Sequence, residues 1–267
     1  MRRRRAGRGR SVRKRDLREC EAMSHIIFAR HGQASLLARD YDQLCANGEA
    51  QARLLGEYWA RRGVVFSCAY SGPRVRQRET GRIVADIYHG AGVAFPETTV
   101  MNEFDEYQAD AVLRKCLPQL LQENGEIQEL HHAYEHAKES SESAATGERR
   151  KTFQKLFEAV ITRWVEGEVT ATGIESWHDF CLRVERGLAQ VVRDTPPAAN
   201  AVVFTSAGPI GAAMRRALHL SAVDTLQVTW MSRNASFSEF LASGERFTLS
   251  TFNAHPHLDG DGLLTYR

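Results

Sequence analysis

"IIFARHGQAS", residues 26–35, is the stretch on which the reading of this chain turns. Ile26, Ile27, Phe28 and Ala29 make a short apolar run of the kind found in strands buried on both faces. The run stops abruptly on Arg30, His31 and Gly32. In open α/β folds ligands bind beyond the carboxyl ends of the parallel strands, which is where these three residues fall. Arginine presents a rigid fork matched to phosphate oxygens. A neutral imidazole is a nucleophile available near pH 7. Gly32 is expected to let backbone approach a ligand closely. Together the three describe a site that holds a phosphoryl group and attacks it.

Working outward, strands alternate with helices. "NGEAQARLLGEYWARRG" has helical spacing, with Ala50, Leu54, Leu55, Tyr58 and Trp59 on one face and Gly63 as its stop. "VVFSCAYSGP" reads as a strand and a turn, and "RVRQRETGRIVADIY" as a helix with Val75, Ile83, Val84 and Ile87 toward the core. "VAFPETTVMNEF" holds an extended segment weakened near Pro96. Residues 105–175 carry no strand signal and read as two or three helices, broken near "ESSESAATGERR". "SWHDFCLRVERGLAQVVRD" resumes an amphipathic helix. Beyond "FTSAGPIGAAMRRALHL", the segments "TLQVTWMSRNASFSEFLASG" and "RFTLSTFN" are expected to be two closing strands. The expected fold is α/β: a three-layer sandwich whose mostly parallel central sheet is flanked by helices, with a helical cap inserted at about 105–175.

At 267 residues and 43% hydrophobic, the chain can bury one large core. No apolar run approaches the ~18 residues needed to span a bilayer, and no early segment resembles a secretory signal. The five cysteines are odd in number and form no CxxC pair, which argues against a disulfide framework and a zinc site and for a reducing, cytoplasmic setting. Net charge is uneven. Residues 1–22 carry ten Lys/Arg against three acids, +7, so the remaining chain carries 2 − 7 = −5. The basic arm reads as a solvated, disordered tail; nucleic acid, anionic lipid or a targeting receptor are its alternative partners. Met23, just before the first strand, is a second candidate start. Residues 23–267 are expected to form a single domain.

"FARHGQAS", "YDQLCANGEAQARLLGEYW", "YSGPRVRQRETGRIV" and "MNEF", in this order and spacing, resemble the histidine phosphatase superfamily, the phosphoglycerate mutase-like group. The likeness runs closely through residues 24–104 and more loosely through 176–267. It implies that His31 takes up the phosphoryl group as phosphohistidine and that Arg30 sits in the phosphate pocket. The family's S-x-P-x-x-R pattern falls on Ser71, Pro73 and Arg76, making Arg76 the second clamp and leaving Arg74 and Arg78 on the helix surface. The acid of its L-x-E segment falls on Glu103, expected to protonate the leaving oxygen and then activate water. The family's late H-G-G is replaced: Ser206 stands in the histidine's place and Ala207 in the first glycine's. A neutral hydroxyl is a weaker donor than a charged one. Thr205 or Ser206 can also cap the helix beginning "GPIGAAM", whose N–H groups then face the phosphate.

The resemblance implies phosphomonoester hydrolysis with no metal or organic cofactor. A phosphomutase is a sub-case, and a phosphate-binding module without turnover is the alternative from another class. His132 and His136 have i, i+4 metal spacing but no evident third ligand, and read as a polar face. His255 and His257 read as structural. The expected partner is a small phosphorylated molecule, with no membrane and no nucleic acid except through the tail. The glutamates between Glu123 and Glu142 weigh against a polyphosphorylated substrate.

Overall fold

The computed structural model describes residues 23–35, 42–139, 143–259 and 262–266; the basic arm lies outside them. Six strands form one sheet: β1 (Ser24–Arg30), β2 (Cys68–Ser71), β3 (Thr98–Val100), β4 (Asn200–Thr205), β5 (Phe237–Ser243) and β6 (Arg246–Ala254). Their order is β3-β2-β4-β1-β5-β6. Pairings β3–β2, β2–β4 and β4–β1 are parallel, and β1–β5 and β5–β6 antiparallel. The sheet is therefore mixed with a parallel centre.

Alternation along the central strands divides the interior into two cores. Ile27 and Ala29 of β1, with Val202 and Phe204 of β4, face α1 (Ala46–Arg61) and α2 (Val75–Gly90). Trp59, Phe66, Tyr88 and Phe95 interlock there edge to face. Ile26, Phe28, Ala201 and Val203 point the other way, into a larger cluster with α6 (Trp177–Asp194) and α7 (Ala207–Leu218). That cluster continues without a break into the inserted helices α3 (Ala109–Glu123), α4 (Gly125–Glu139) and α5 (Ser143–Val165). Tyr107 stacks on Trp164 of α5 and meets Phe180 of α6 edge-on, tying the insertion to the body.

Two local readings change. The buried face of α1 is Gly48, Gln51, Ala52, Leu55, Gly56 and Trp59, rotated from the apolar stripe expected at Ala50, Leu54 and Tyr58. Gln51 is buried because its amide is fully used: it accepts from Gln33 N (2.8 Å) and donates to Leu263 O (2.7 Å) and Thr265 Oγ1 (2.9 Å). "TLQVTWM" is not a strand but the body of α8 (Ala222–Met231). Ser221 caps it by accepting from Asp224 N, while Thr225 and Thr229 return their hydroxyls to carbonyls one turn back. Only Phe237–Ser243 of that segment pairs in the sheet. Among the described residues no helix is long and apolar enough to cross a membrane.

Where α2 crosses β4, a Cβ on Gly81 would lie 2.8 Å from Phe204 Cδ2, whereas one on Gly90 would meet nothing within 4 Å. Gly81→Val is therefore expected to cost roughly 1–3 kcal/mol through overpacking. Gly90→Ala should stabilise by up to about 1 kcal/mol by restricting the unfolded chain. Urea unfolding of both variants checks the pair.

Candidate active site

The carboxyl ends of β1, β2, β3 and β4 deliver every candidate residue to one edge of the sheet. His31 follows β1, and its backbone N donates to Thr205 O of β4 at 2.8 Å. The ring Nδ1 lies 2.7 Å from Gly32 O. A carbonyl can only accept, so Nδ1 carries a proton. Arg76 Nε donates to the other ring nitrogen, Nε2, at 3.1 Å. The imidazole is thus held neutral with its lone pair on Nε2. Burial lowers its pKa well below 6.5, and the guanidinium groups of Arg76 and Arg30 lower it further.

Arg30, His31 and Arg76 are all more than nine-tenths buried. Arg30 donates through Nη1 to Ser232 O. Arg76 sits in the first turn of α2, where Asp42 accepts both from Val75 N (2.8 Å) and from Arg76 Nη1 (2.7 Å). Asp42 thereby completes the start of α2 and aims its arginine in one contact. One turn on, Thr80 Oγ1 donates to Arg76 O and accepts from Gly32 N. Packing gives Gly32 a reason of its own: a Cβ there would lie 2.3 Å from Gly48 O. The glycine admits the start of α1. Of the other two arginines, Arg78 is exposed, while Arg74 is half-buried and pairs with Asp105 at 2.5 Å.

The carboxylate the structure brings to this pocket is Glu106, not Glu103. Residues Asn102–Phe104 form a single 3-10 turn. That turn lays Glu103 against α6, where a Cβ on Gly187 would lie 2.5 Å from Glu103 Cβ. Phe104 drops into the core, and Glu106 emerges on the pocket side, accepting from Tyr107 N (3.0 Å) and Gly208 N (3.1 Å). Burial raises its pKa above 4.5; those two N–H groups and the fields of Arg76 and Arg30 act against that rise. The same apolar-x-acid spacing that points to Met101-Asn102-Glu103 recurs as Phe104-Asp105-Glu106, so the signal for Glu106 lies three residues downstream. Arg183 of α6 pins the loop: its Nη1 donates to the carbonyls of Asn102 (3.0 Å), Glu103 (2.9 Å) and Asp105 (3.1 Å). A bidentate pair with Glu175 holds the guanidinium in place.

Ser206 occupies the N-cap position of α7 but makes no side-chain cap bond; its Oγ instead accepts from Gln77 Nε2 at 2.8 Å. In the first turn of α7, Gly208 N donates to Glu106. A Cβ on Gly208 would lie 2.0 Å from Glu106 Oε1, so a side chain there would push the carboxylate away from Gly208 N. Phosphate, two guanidiniums, a helix start and a proton-carrying acid are chemically compatible in this arrangement.

The remaining histidines lie elsewhere. His132, His136 and His178 are exposed on helices. His257 is buried and stacked on Phe237, its pKa pushed down to about 4 by burial. His255 bonds to Asn253 O and Arg233. Among the described residues no three His, Cys, Asp or Glu side chains gather as a metal site.

The model of the histidine phosphatase superfamily, branch 1, matches residues 26–168 and 135–255. No curated protein sequence matches the chain. Solved structures share its fold. The α-ribazole phosphatase of Shigella flexneri is 17% identical, with 86% of this chain and 96% of that one covered and a TM-score of 0.54. A mycobacterial glucosyl-3-phosphoglycerate phosphatase is 17% identical, covering 86% and 98%, with a TM-score of 0.55. The phosphoglycerate mutase of Bacillus anthracis is 16% identical, covering 90% and 98%, with a TM-score of 0.56. From the strand-end histidine to the paired arginines and the matched span of residues 26–255, the chain belongs to the histidine phosphatase superfamily, branch 1.

Proposed function

We propose that this chain is a phosphomonoesterase working through a phosphohistidine on His31. One observation carries the reading: Nδ1 is locked as a donor to Gly32 O while Nε2 keeps its lone pair beside Arg76, in a ring that burial holds neutral. Nε2 forms a bond to phosphorus as the phosphorus–oxygen bond of the ester breaks. The departing oxygen takes its proton from Glu106. Arg30 and Arg76 neutralise the phosphoryl oxygens, and the α7 start adds backbone donors. Water then transfers a proton to the Glu106 carboxylate and attacks phosphorus. The phosphorus–nitrogen bond breaks, inorganic phosphate leaves, and the ring returns to its neutral state.

The second reading, a phosphate-binding module without turnover, is favoured by the neutral Ser206 at the start of α7. The two separate on labelling. With a 32P-labelled aryl phosphate the phosphatase gains acid-labile, base-stable label, and His31→Ala removes it together with at least ~10³-fold of the hydrolysis rate. Phosphate binding with no label and no hydrolysis overturns the enzyme. Substrate choice falls to the residues contributed by α3 to α5, and a panel of small phosphorylated metabolites reads it out.

The two glutamates give opposite expectations. Glu106→Gln should lower kcat by ~10²–10⁴-fold, the ordinary worth of a positioned acid. Glu103→Gln should change it by no more than about threefold, since that side chain lies against α6. Equal effects would move the acid back to Glu103.

The pH profile follows from the two shifts. His31 stays neutral well below pH 6.5, so the acid limb of kcat/KM lies below that value. The Glu106 proton survives above pH 4.5 and is lost as pH climbs through its raised pKa. The rate therefore falls on the alkaline side as Glu106 loses its proton, and Glu106→Gln flattens that limb.

Arg183→Met removes the donor to three loop carbonyls. It is expected to lower kcat by up to ~10²-fold with KM little changed, because a displaced acid affects the transition state more than binding. Steady-state kinetics on the aryl phosphate checks the split.

A further inference from the structure

Gln77 is fully buried on α2, one residue after the arginine that faces His31. Its amide orientation is set by two backbone groups. The Arg74 N–H can only donate, so the atom 3.0 Å from it is Oε1. The Phe104 carbonyl can only accept, so the atom 3.3 Å from it is Nε2. Nε2 also lies 2.8 Å from Ser206 Oγ, and an amide N–H has nothing to do there but donate. Ser206 Oγ therefore accepts. Gly72 makes the arrangement possible: a Cβ there would lie 2.2 Å from Gln77 Oε1 and 2.5 Å from Phe104 O.

The consequence falls on the hydroxyl proton of Ser206. It cannot go toward Gln77 Nε2. The Phe104 carbonyl already receives Thr205 Oγ1 at 2.8 Å and Gln77 Nε2, which occupies both of its lone pairs. Among the described residues no group accepts this proton, and Ser206 makes no cap bond within α7. The serine directly follows Thr205, whose carbonyl accepts from His31 N, so its hydroxyl stands at the helix start next to the strand end that carries the nucleophile.

We propose that Gln77 is a positioning residue: by donating to Ser206 Oγ it turns the serine proton toward the phosphoryl group presented to His31. The phosphoryl identity of that acceptor rests on the phosphatase reading above. A serine hydroxyl left to itself rotates and can accept as readily as donate. With one lone pair committed to Gln77, it is a donor aimed in advance, and such a donor reorganises little when charge develops. Two guanidiniums already supply the positive charge; Gln77 and Ser206 supply direction.

The test is a double-mutant cycle on orthophosphate affinity, by titration calorimetry, with kcat and KM on an aryl phosphate measured alongside. Ser206→Ala and Gln77→Met should each weaken orthophosphate binding about tenfold or more, as expected for a hydrogen bond to a charged group. The double variant should be no worse than Ser206→Ala, because Gln77 acts on the phosphate only through that hydroxyl. Losses that multiply, or an unchanged affinity in Ser206→Ala, overturn the proposal. If Gln77→Met melts below the assay temperature, Gln77→Glu has nearly the same shape and offers the serine an acceptor. It should weaken binding at least as much as Ser206→Ala, and wild-type affinity there also overturns the proposal. Transfer of 32P to His31 reads the parent reading separately. Coupled losses of phosphate affinity without labelling keep the Gln77–Ser206 pair and sink the phosphatase; normal labelling with equal affinities does the reverse.

Discussion

The whole site depends on an imidazole kept uncharged while a guanidinium touches it. An imidazolium beside Arg76 would place like charges about 3 Å apart in a buried setting, which costs far more there than in water. The Nδ1–H bond to Gly32 O settles which nitrogen keeps the proton, and the close approach of Gly32 to Gly48 holds that carbonyl where the ring needs it. A strand end, a helix start and a second glycine thus cooperate to define one tautomer.

Around that ring the charges are arranged in layers. Asp42 balances and aims Arg76 from the outer side, the Ser232 carbonyl receives Arg30, and Glu106 stands between the arginines and the start of α7. Glu106 feels opposing influences of burial and positive charge, and burial prevails. A carboxyl group in that position can hold a proton at a pH where a solvated one has lost it. The loop that carries it is short and has no regular structure beyond one 3-10 turn, so Arg183 and its partner Glu175 act as its brace.

The inserted helices share their core with the sheet. Tyr107, immediately after the pocket acid, packs on Trp164 and Phe180 and lies against Gly208. Changes in the packing of α5 or α6 therefore reach Glu106 through Tyr107, which offers a physical route by which sequence variation in the insertion can tune the pocket.

Much of this was legible before the fold. The apolar run of Ile26–Ala29, the cap and stop residues of the long helices and the ordered spacing of Arg30, His31 and Arg76 are local signals, set by side-chain type and period. They place His31 and both arginines at strand and helix ends. The misreadings have a common origin. "TLQVTWM" is rich in β-branched residues, yet Ser221 and two back-bonded threonines make it a helix. Gln51 is polar, yet it is buried because the distant Leu263 and Thr265 complete its bonds.

The amino-acid sequence alone determined the chemistry on offer: an imidazole, two guanidiniums, several carboxylates, and a serine at the head of a helix. Only the tertiary structure decided among the carboxylates, sending Glu103 to α6 and Glu106 to the pocket, and only it coupled Gln77 to Ser206 across 129 residues. The reason is geometric. Which way a side chain leaves a short irregular loop depends on what the neighbouring elements already fill, and those neighbours come from parts of the chain that local pattern does not connect.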